Sequence, residues 1–396
     1  MHDKPLTMVD LFAGAGGLSE GLSEAGFVSL FANEFVDVFA STYSRNHSTA
    51  EVLTDDIRNL DPFTILKSIG LKQGDLDLLA GGPPCQGFSI NAPFRSTKDA
   101  RNQLFRDYLR FVDAFSPRVV LIENVPGLVS FERGATLHAI IESLTELGYG
   151  VGVRILGAAN YGIPQTRWRT IIIGTRGKPL PLTAFPLPTC RAPVNTNFTS
   201  MFDGQSIVQK PSQETEVAYV TVSDAISDLP PLENGEKGEL IKQYLVDPQS
   251  DYQKRLRAGS SGVYNHEAPR LSEINLERIK YIRPGGNWTD IPTDLLPKGM
   301  MIAKRGDHTK RYGRVEADGL ASTIMTKCDP HWGSYFHYSQ DRSFTVREAA
   351  RIQSFPDSYV FNGNLTQQFA QVGNAVPPLL AEAVGNSIRY VLENDS

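Results

Sequence analysis

Cysteine is scarce in this chain. Three thiols, Cys85, Cys190 and Cys328, stand among 396 residues, too few and too scattered for a disulfide framework or a four-ligand zinc cage. A cysteine with a role here has it as a thiol, and no metal site is expected. Long hydrophobic runs are missing too: no uncharged apolar stretch nears the roughly 18 to 20 residues that span a bilayer, so no membrane partner is expected. The opening MHDKPLTMVD lacks a basic segment followed by a long apolar one, which predicts a cytoplasmic protein. Positive charge is in deficit, 39 Lys+Arg against 44 Asp+Glu for a net charge of -5, a sign that by itself counts against nucleic acid. Nothing repeats internally. What remains is an ordinary globular composition, 41% apolar and 21% charged, long enough for a sizeable core and two lobes.

Through residues 1–177 short apolar runs alternate with amphipathic stretches, the rhythm of an α/β lobe with a mainly parallel sheet. The runs are Met8 to Phe12, Val28 to Ala32, Leu76 to Ala80 and Val119 to Ile122, with a weaker one at Glu51 to Leu53. Helical spacing predicts helices over Leu18 to Ala25, Val36 to Arg45 and Leu104 to Phe115. Val151 to Leu156 and Thr170 to Gly174 read as an antiparallel addition that closes the sheet. Lys178 to Pro193 carries five prolines in sixteen residues and reads as a linker. A second, smaller lobe is expected over 178–343, irregular and β-rich, with strands at Val217 to Val222 and Ala321 to Met325. Residues 344–396 supply helices at Val346 to Gln353 and Pro377 to Glu393, the last expected to pack back on the first lobe.

Ligands of an open parallel sheet bind outside the carboxyl ends of the strands. The residues that follow the apolar runs here are polar or glycine at five successive positions: Asp10 to Gly17, Asn33-Glu34, Asp55-Asp56-Ile57, Gly81 to Cys85 and Glu123-Asn124-Val125. Gly14, Gly16 and Gly17 permit close backbone approach, but their spacing departs from the G-x-G-x-x-G turn that seats a pyrophosphate. Glu34 is placed to accept from a ribose diol and Asp56 from an adenine amine; helix capping or a solvated charge is the plainer alternative for each. An adenosine without phosphates and with an amino-acid tail, S-adenosylmethionine, fits this set.

Cys85 sits in Pro-Pro-Cys-Gln-Gly-Phe-Ser, where two prolines fix the strand exit and favour a thiol directed at the cleft as a nucleophile. Cys190 and Cys328 suit the role of small buried hydrophobes better. An unassisted thiol is only a few per cent thiolate at neutral pH, so a nearby cation is expected, and Arg167 and Arg169 in QTRWR are candidates because alternate strand residues share a face. Glu123 ends the apolar run VVLIEN, at the edge of a desolvated region where a carboxyl pKa tends to rise and where it could hold or donate a proton; pairing with one of these arginines is the plainer reading, and the two are compatible.

These segments resemble the DNA (cytosine-5)-methyltransferases, particularly the compact bacterial enzymes of the restriction-modification type. DLFAGAGGLSEGL resembles that family's first cofactor motif, GGPPCQGFS its catalytic loop, ENVPGL its carboxylate motif and QTRWR its paired-arginine motif. TVREAARIQSFPD and GNAVPP resemble its last two motifs, and the order agrees. The resemblance implies a methyltransferase acting on cytosine carbon-5 in a specific double-stranded DNA sequence, with 178–343 in the place of the target-recognition domain and DNA in the cleft between the lobes. It implies that Cys85 adds to cytosine carbon-6, Glu123 engages the ring nitrogen and amino edge, and Arg167 holds the base carbonyl oxygen. Implied cofactor contacts are Phe12, Gly14, Gly16, Gly17, Glu34, Asp56, Ile57, Pro84, Leu104, Asn374 and Val376, with S-adenosylmethionine as cofactor.

The base must leave the stack to be reached. Gln86, Ser89 and Arg169 are expected to contact DNA, the NAPFRSTKDARN segment to close over it, and residues near Ile90 to Phe94 to fill the vacated space. A monomer is expected, located with the nucleoid, whose restriction endonuclease partner acts on the same site without necessarily binding it. A tRNA cytosine-5 enzyme of the same fold is disfavoured by the lack of a Cys-Phe-Thr segment in the second lobe, and a non-catalytic regulator by intact Cys85, Glu123, Arg167 and Gly14. Residues 251 to 351 hold 17 Lys+Arg and 12 Asp+Glu, so a basic surface is expected in the second lobe despite the acidic total.

Overall fold

The computed structural model describes residues 5–84, 104–193, 198–238, 240–304, 306 and 308–394. Cys85, Gln86, Ser89 and the Ile90 to Phe94 segment lie outside the described residues. By Cα proximity the chain forms two compact units, the first made of Met1–Tyr161, Trp168–Ala218 and Val376–Ser396, the second of Gly162–Arg167 and Tyr219–Ala375.

The first unit is built on a seven-stranded sheet. Its strands are β1 (Leu6–Leu11), β2 (Phe27–Asn33), β3 (Glu51–Leu53), β4 (Leu78–Gly81), β5 (Val119–Asn124), β6 (Tyr149–Gly157) and, after the two-residue β7 (Gln165–Thr166), β8 (Trp168–Arg176). The order is β3-β2-β1-β4-β5-β8-β6. The first five run parallel, and β8 lies antiparallel between β5 and β6. Strands covered on both faces need apolar side chains on both, so β1, β4 and β5 read as continuous runs rather than alternations.

Helices α1 (Gly17–Glu24), α2 (Asp37–Asn46), α3 (Pro62–Ser68), α4 (Leu104–Phe115), α5 (Gly127–Ser130) and α6 (Ala135–Glu146) connect the strands, and α13 (Pro378–Glu393) ends the unit. The spacing that predicted α4 places Tyr108, Phe111, Val112 and Phe115 in the core, and the Tyr108 hydroxyl donates to the Leu79 and Leu121 carbonyls, clamping β4 to β5. α13 packs on α1 at close range: a Cβ at Gly21 would stand 2.1 Å from the Pro378 carbonyl oxygen.

The second unit is irregular, as read from the sequence, but a β-rich interior is not what its described residues form. Its regular elements are mainly short helices: α7 (Val222–Ile226), α8 (Asp251–Arg257), α9 (Glu273–Ile279), α10 (Lys298–Met301), α11 (Val346–Ile352) and α12 (Leu365–Asn374). Strand pairing among its described residues amounts to two-residue segments, Ile241–Lys242 with Val263–Tyr264 and Ala321–Ser322 with β7, and single bridges of Phe336 to Arg314 and Ser343. Val217 to Val222 is not a strand; Thr221 caps α7 instead, its hydroxyl accepting from the Asp224 amide. The sequence anticipated α11 at Val346 to Gln353, whereas α7 to α10 display too few turns for a periodicity to show.

The unit boundaries also differ from the 177/178 and 343/344 divisions. Residues 178–218 belong to the first unit because Ile207 to Gln209 hydrogen-bonds along β6 at Ile155, and because Thr189, Cys190 and Ala192 donate to Asn160. Residues 344–375 belong to the second because α11 is bound into it by buried charge: Arg351 pairs with Asp228 and Asp357, and Arg342 with Glu348.

Because nothing at the α1–α13 crossing can yield to a methyl group except backbone, Gly21→Ala is expected to destabilise the first unit by about 1–3 kcal/mol. Urea denaturation followed by circular dichroism measures the shift.

Candidate functional site

The glycine turn after β1 is required by backbone conformation. Phe12 and Gly14 both have φ near +59° and Gly16 has φ +93°, all left-handed, before α1 starts at Gly17. A Cβ at Gly14 would meet no atom within 4 Å, so the turn faces open space. For Phe12 the same φ is a strained choice that the surrounding turn enforces. The Ala13 amide donates to the Asn33 carbonyl, which ties this turn to the exit of β2.

At that exit Glu34 is held by two backbone amides: Oε2 accepts from Gly14 at 2.9 Å and Oε1 from Val36 at 2.8 Å. Burial raises its carboxyl pKa and these bonds oppose the rise. Phe35, next in sequence, is 68% exposed, an aromatic face left to solvent at the sheet edge. The sequence reading passed over it, although a bulky ring following an acidic strand end was visible. Asn33 Nδ2 donates to the Leu53 and Asp55 carbonyls and so brings the β3 exit alongside. Asp56 caps the short turn at Ile57, with Oδ1 accepting from the Arg58 amide and both oxygens engaged by the Arg58 guanidinium. The Ile57 side chain is buried in the core.

Asp10, within β1, is fully buried. Its Oδ2 accepts from Ser19 Oγ at 2.6 Å, and Ser19 in turn accepts from Tyr43 at 2.8 Å. Its Oδ1 has no hydrogen-bond partner among the described residues. Burial, reinforced by the charges of Glu34 and Glu123, pushes this carboxyl up to about 7 against the pull of Ser19.

The loop leaving β4 is pinned from two sides: the Gly82 amide donates to the Leu11 carbonyl at 3.3 Å, and Asn124 Nδ2 to the Pro83 carbonyl at 3.0 Å. A Cβ at Gly82 would stand 3.2 Å from Glu123 Oε2, so glycine lets the loop pass over that carboxylate. Pro84 is the last described residue before Cys85, and Leu104, half-buried, is the first after the gap. Cys190 and Cys328 are both buried, matching the reading of them as small hydrophobes.

The two arginines of QTRWR part company. β7 ends at Thr166 and β8 starts at Trp168, so Arg167 stands at a break and the shared-face expectation fails. Arg167 is 1% exposed and donates to the carbonyls of Ile324, Gly373 and Ala375, all within the second unit. That commitment corrects its expected role as holder of a substrate oxygen. Arg169 is the one beside Glu123, Nε to Oε1 2.5 Å, both side chains nearly buried. Burial lowers the Arg169 pKa and Glu123 opposes the shift. Glu123 is thus ion-paired with Arg169.

Asn374 is exposed at the end of α12 in the second unit, while Val376 is buried in the first. In all, the first unit brings Gly14, Glu34, Phe35, Gly82, Glu123 and Arg169 to the carboxyl ends of β1, β2, β4 and β5. This edge combines an open turn with an acidic hydrogen-bond acceptor, and a carboxylate–guanidinium pair able to grip a planar ring that offers both donors and acceptors.

Residues 6–390 match the family model described as C-5 cytosine-specific DNA methylase. The chain is 38% identical to the Type II methyltransferase M.DdeI of Desulfomicrobium norvegicum, covering 98% of this chain and 90% of that one. It is 34% identical to the Type II methyltransferase M.AgeI of Thalassovita gelatinovora, covering 97% and 99%. Among solved structures, a putative DNA modification methyltransferase encoded within an E. coli prophage has the same fold, with a TM-score of 0.72, 24% identity, and coverage of 98% of this chain and 100% of that one.

The raised Asp10 pKa gives a signed pH dependence. The folded form keeps a proton that the unfolded chain releases near its ordinary value, so the stability from this group is complete below about 4 and is lost as pH rises through about 7. Asp10→Asn is expected to remove that decline, gaining on the parent protein as pH rises from 5 to 8; urea denaturation across that range measures it.

Proposed function

The chain belongs to the C-5 cytosine-specific DNA methylases, and from that premise we propose that it methylates carbon-5 of a cytosine flipped out of a specific double-stranded DNA sequence. In this reading it is the modification enzyme of a restriction-modification system, as its similarity to Type II methyltransferases supports. The observation that carries the site assignment is the Glu123–Arg169 pair, set directly beneath the pinned Gly82-Pro83-Pro84 approach to Cys85.

Cys85, as thiolate, adds to cytosine carbon-6. Glu123 engages the ring nitrogen and amino edge, and Arg169, in place of Arg167, holds the base carbonyl oxygen; as the thiolate lone pair forms the carbon–sulfur bond, the carbon-5–carbon-6 π bond breaks and its electron pair moves onto carbon-5. When bound, S-adenosylmethionine supplies a sulfonium-activated methyl group to that carbon. Loss of the carbon-5 proton to water then restores the ring double bond and expels Cys85 as thiolate, with S-adenosylhomocysteine as the spent cofactor. A thiol suits both ends of this sequence, being a good nucleophile and a good leaving group.

The residues of the first unit fit the cofactor. The Gly14 turn is open, Glu34 stands beside it to receive a ribose diol, the exposed Phe35 offers a face for adenine, and Asp10 has an oxygen without a hydrogen-bond partner among the described residues. Phe12, Gly16, Gly17, Ile57, Pro84, Leu104, Asn374 and Val376 complete the proposed contacts; Asp56 joins them by exchanging Arg58 for the adenine amine. Gln86 and Ser89 contact DNA in this proposal. The protein works as a monomer at the nucleoid, and a cognate endonuclease cuts the same sequence when it is unmethylated. Among the described residues no helix is long and apolar enough to cross a membrane, and no group of three or more His, Cys, Asp or Glu could hold a metal ion.

Incubation with labelled S-adenosylmethionine and either duplex DNA or tRNA, followed by bisulfite sequencing, tests the reading; label confined to tRNA overturns it. Cys85→Ser is expected to abolish turnover while keeping DNA binding in a gel-shift assay. Arg169→Ala is expected to lower turnover on the order of 100-fold or more, whereas Arg167→Ala, which strips three carbonyls of their donor, is expected to act first on the denaturation midpoint.

A further inference from the structure

We propose that Arg311, laid against the indole of Trp332, is the side chain that reads a guanine of the target sequence, an inference that rests on the DNA-methylating function proposed above. A ladder of rings in the second unit supports this pair. It starts at the fully buried Phe336, whose ring centroid lies 6.4 Å from that of Tyr312 in the cluster formed with Trp288, Ile279 and Met300. Tyr312 meets His331 edge-on at 5.6 Å and shares a hydrogen bond of 3.0 Å with its Nδ1. His331 meets Trp332 edge-on at 5.1 Å, and the Arg311 guanidinium carbon lies 5.1 Å from the Trp332 ring centre. The ladder thus runs from the core to a tryptophan that is 49% exposed.

The backbone beneath is equally fixed. Tyr312 donates to the Pro330 carbonyl at 2.6 Å, Trp288 to the Arg311 carbonyl at 3.0 Å, and Ser334 Oγ to the Lys310 carbonyl at 3.1 Å.

Charge separates Arg311 from its neighbours in sequence. Arg342, Arg347 and Arg351 are buried and paired with Glu348, Asp357 and Asp228; Arg257 pairs with Asp228, Arg314 with Asp341, and Lys280 with Glu277. Arg311 has no carboxylate partner among the described residues, a condition it shares with the exposed Arg270, Arg283 and Lys327 and with the three exposed lysines Lys298, Lys304 and Lys310; of these cations Arg311 is the one whose guanidinium lies over an aromatic ring. Asp329, close by in the chain, accepts from the His331 amide. An unpaired guanidinium preoriented on an aromatic plane loses little freedom on binding, and its rigid fork matches the O6 and N7 acceptors that guanine alone displays in the major groove. The three lysines then contact phosphates, which position the duplex without reading it. Ile302, 89% exposed between Lys298 and Lys304, is an apolar side chain that such a duplex would cover.

The test is methylation of a randomised duplex library by the full-length protein, read by bisulfite sequencing, for the parent, Arg311→Lys and Trp332→Leu. Arg311→Lys keeps the charge and loses the fork; it is expected to relax preference at one guanine position by about 5- to 100-fold while cofactor binding and the slope of affinity against salt stay the same. Trp332→Leu is expected to relax the same position. Unchanged site preference in Arg311→Lys, or a loss spread evenly over all sequences, overturns the assignment while the methyltransferase reading stands. Absence of DNA methylation by the parent protein overturns the functional reading itself, and this inference with it. Thermal melting of each variant separates either result from misfolding.

Discussion

The contact between Glu123 and Arg169 depends on the one strand that runs against the rest of the sheet. β8 pairs antiparallel with β5 in a register that sets Glu123 opposite Ile171 and Asn124 opposite Thr170, so the residue just before Thr170 reaches the exit of β5. Had β8 joined in parallel, its start would lie at the opposite edge. Both charged groups are nearly buried, a placement that costs several kcal/mol per ion in desolvation and is tolerated only because each neutralises the other. Losing either partner strands the other, which is why this pair constrains its surroundings: Gly82 must lack a side chain to pass it, and Asn124 must hold Pro83 in place beside it.

Charge in the second unit divides by the same physics. A count over residues 251 to 351 finds a basic surplus, and a basic surface was the natural expectation. Part of that surplus is interior. Arg342 and Glu348, Arg351 with Asp228 and Asp357, and Arg347 beside Asp357 form a buried lattice that fastens α11 to α7 and to the Pro356-Asp357 turn. Burial and pairing act oppositely on Glu348, and pairing with Arg342 wins, holding its carboxyl well below the ordinary range. These cations cannot meet phosphate. The basic residues that remain without a carboxylate partner among the described residues include Arg270, Arg283, Lys298, Lys304, Lys310, Arg311 and Lys327.

The α/β sheet was legible because its central strands β1, β4 and β5 are buried on both faces and therefore announce themselves as apolar runs, and because α4 is long enough to repeat its apolar spacing three times. The strand-end residues Gly14, Glu34 and Glu123 were legible for the same reason, since a polar residue that ends such a run has only the sheet edge to occupy. Phe35 and Asp10 were harder. An exposed phenylalanine and a buried aspartate are exceptions to the burial rule, and only the folded arrangement of their neighbours decides an exception.

The sequence by itself determined the family motifs, their order, the sheet-forming runs and the residue types at the strand ends, because these follow from local composition and spacing. Tertiary structure alone decided which of two arginines two residues apart faces Glu123. QTRWR reads as one strand, yet the chain breaks at Arg167, which satisfies three backbone carbonyls of the second unit, while Arg169 stays with the sheet. It alone decided, too, which basic residues are structural and which are free, since pairing depends on partners as far away as Asp228 is from Arg351. Spacing along the chain carries no information about such long-range partners, and burial makes having one obligatory.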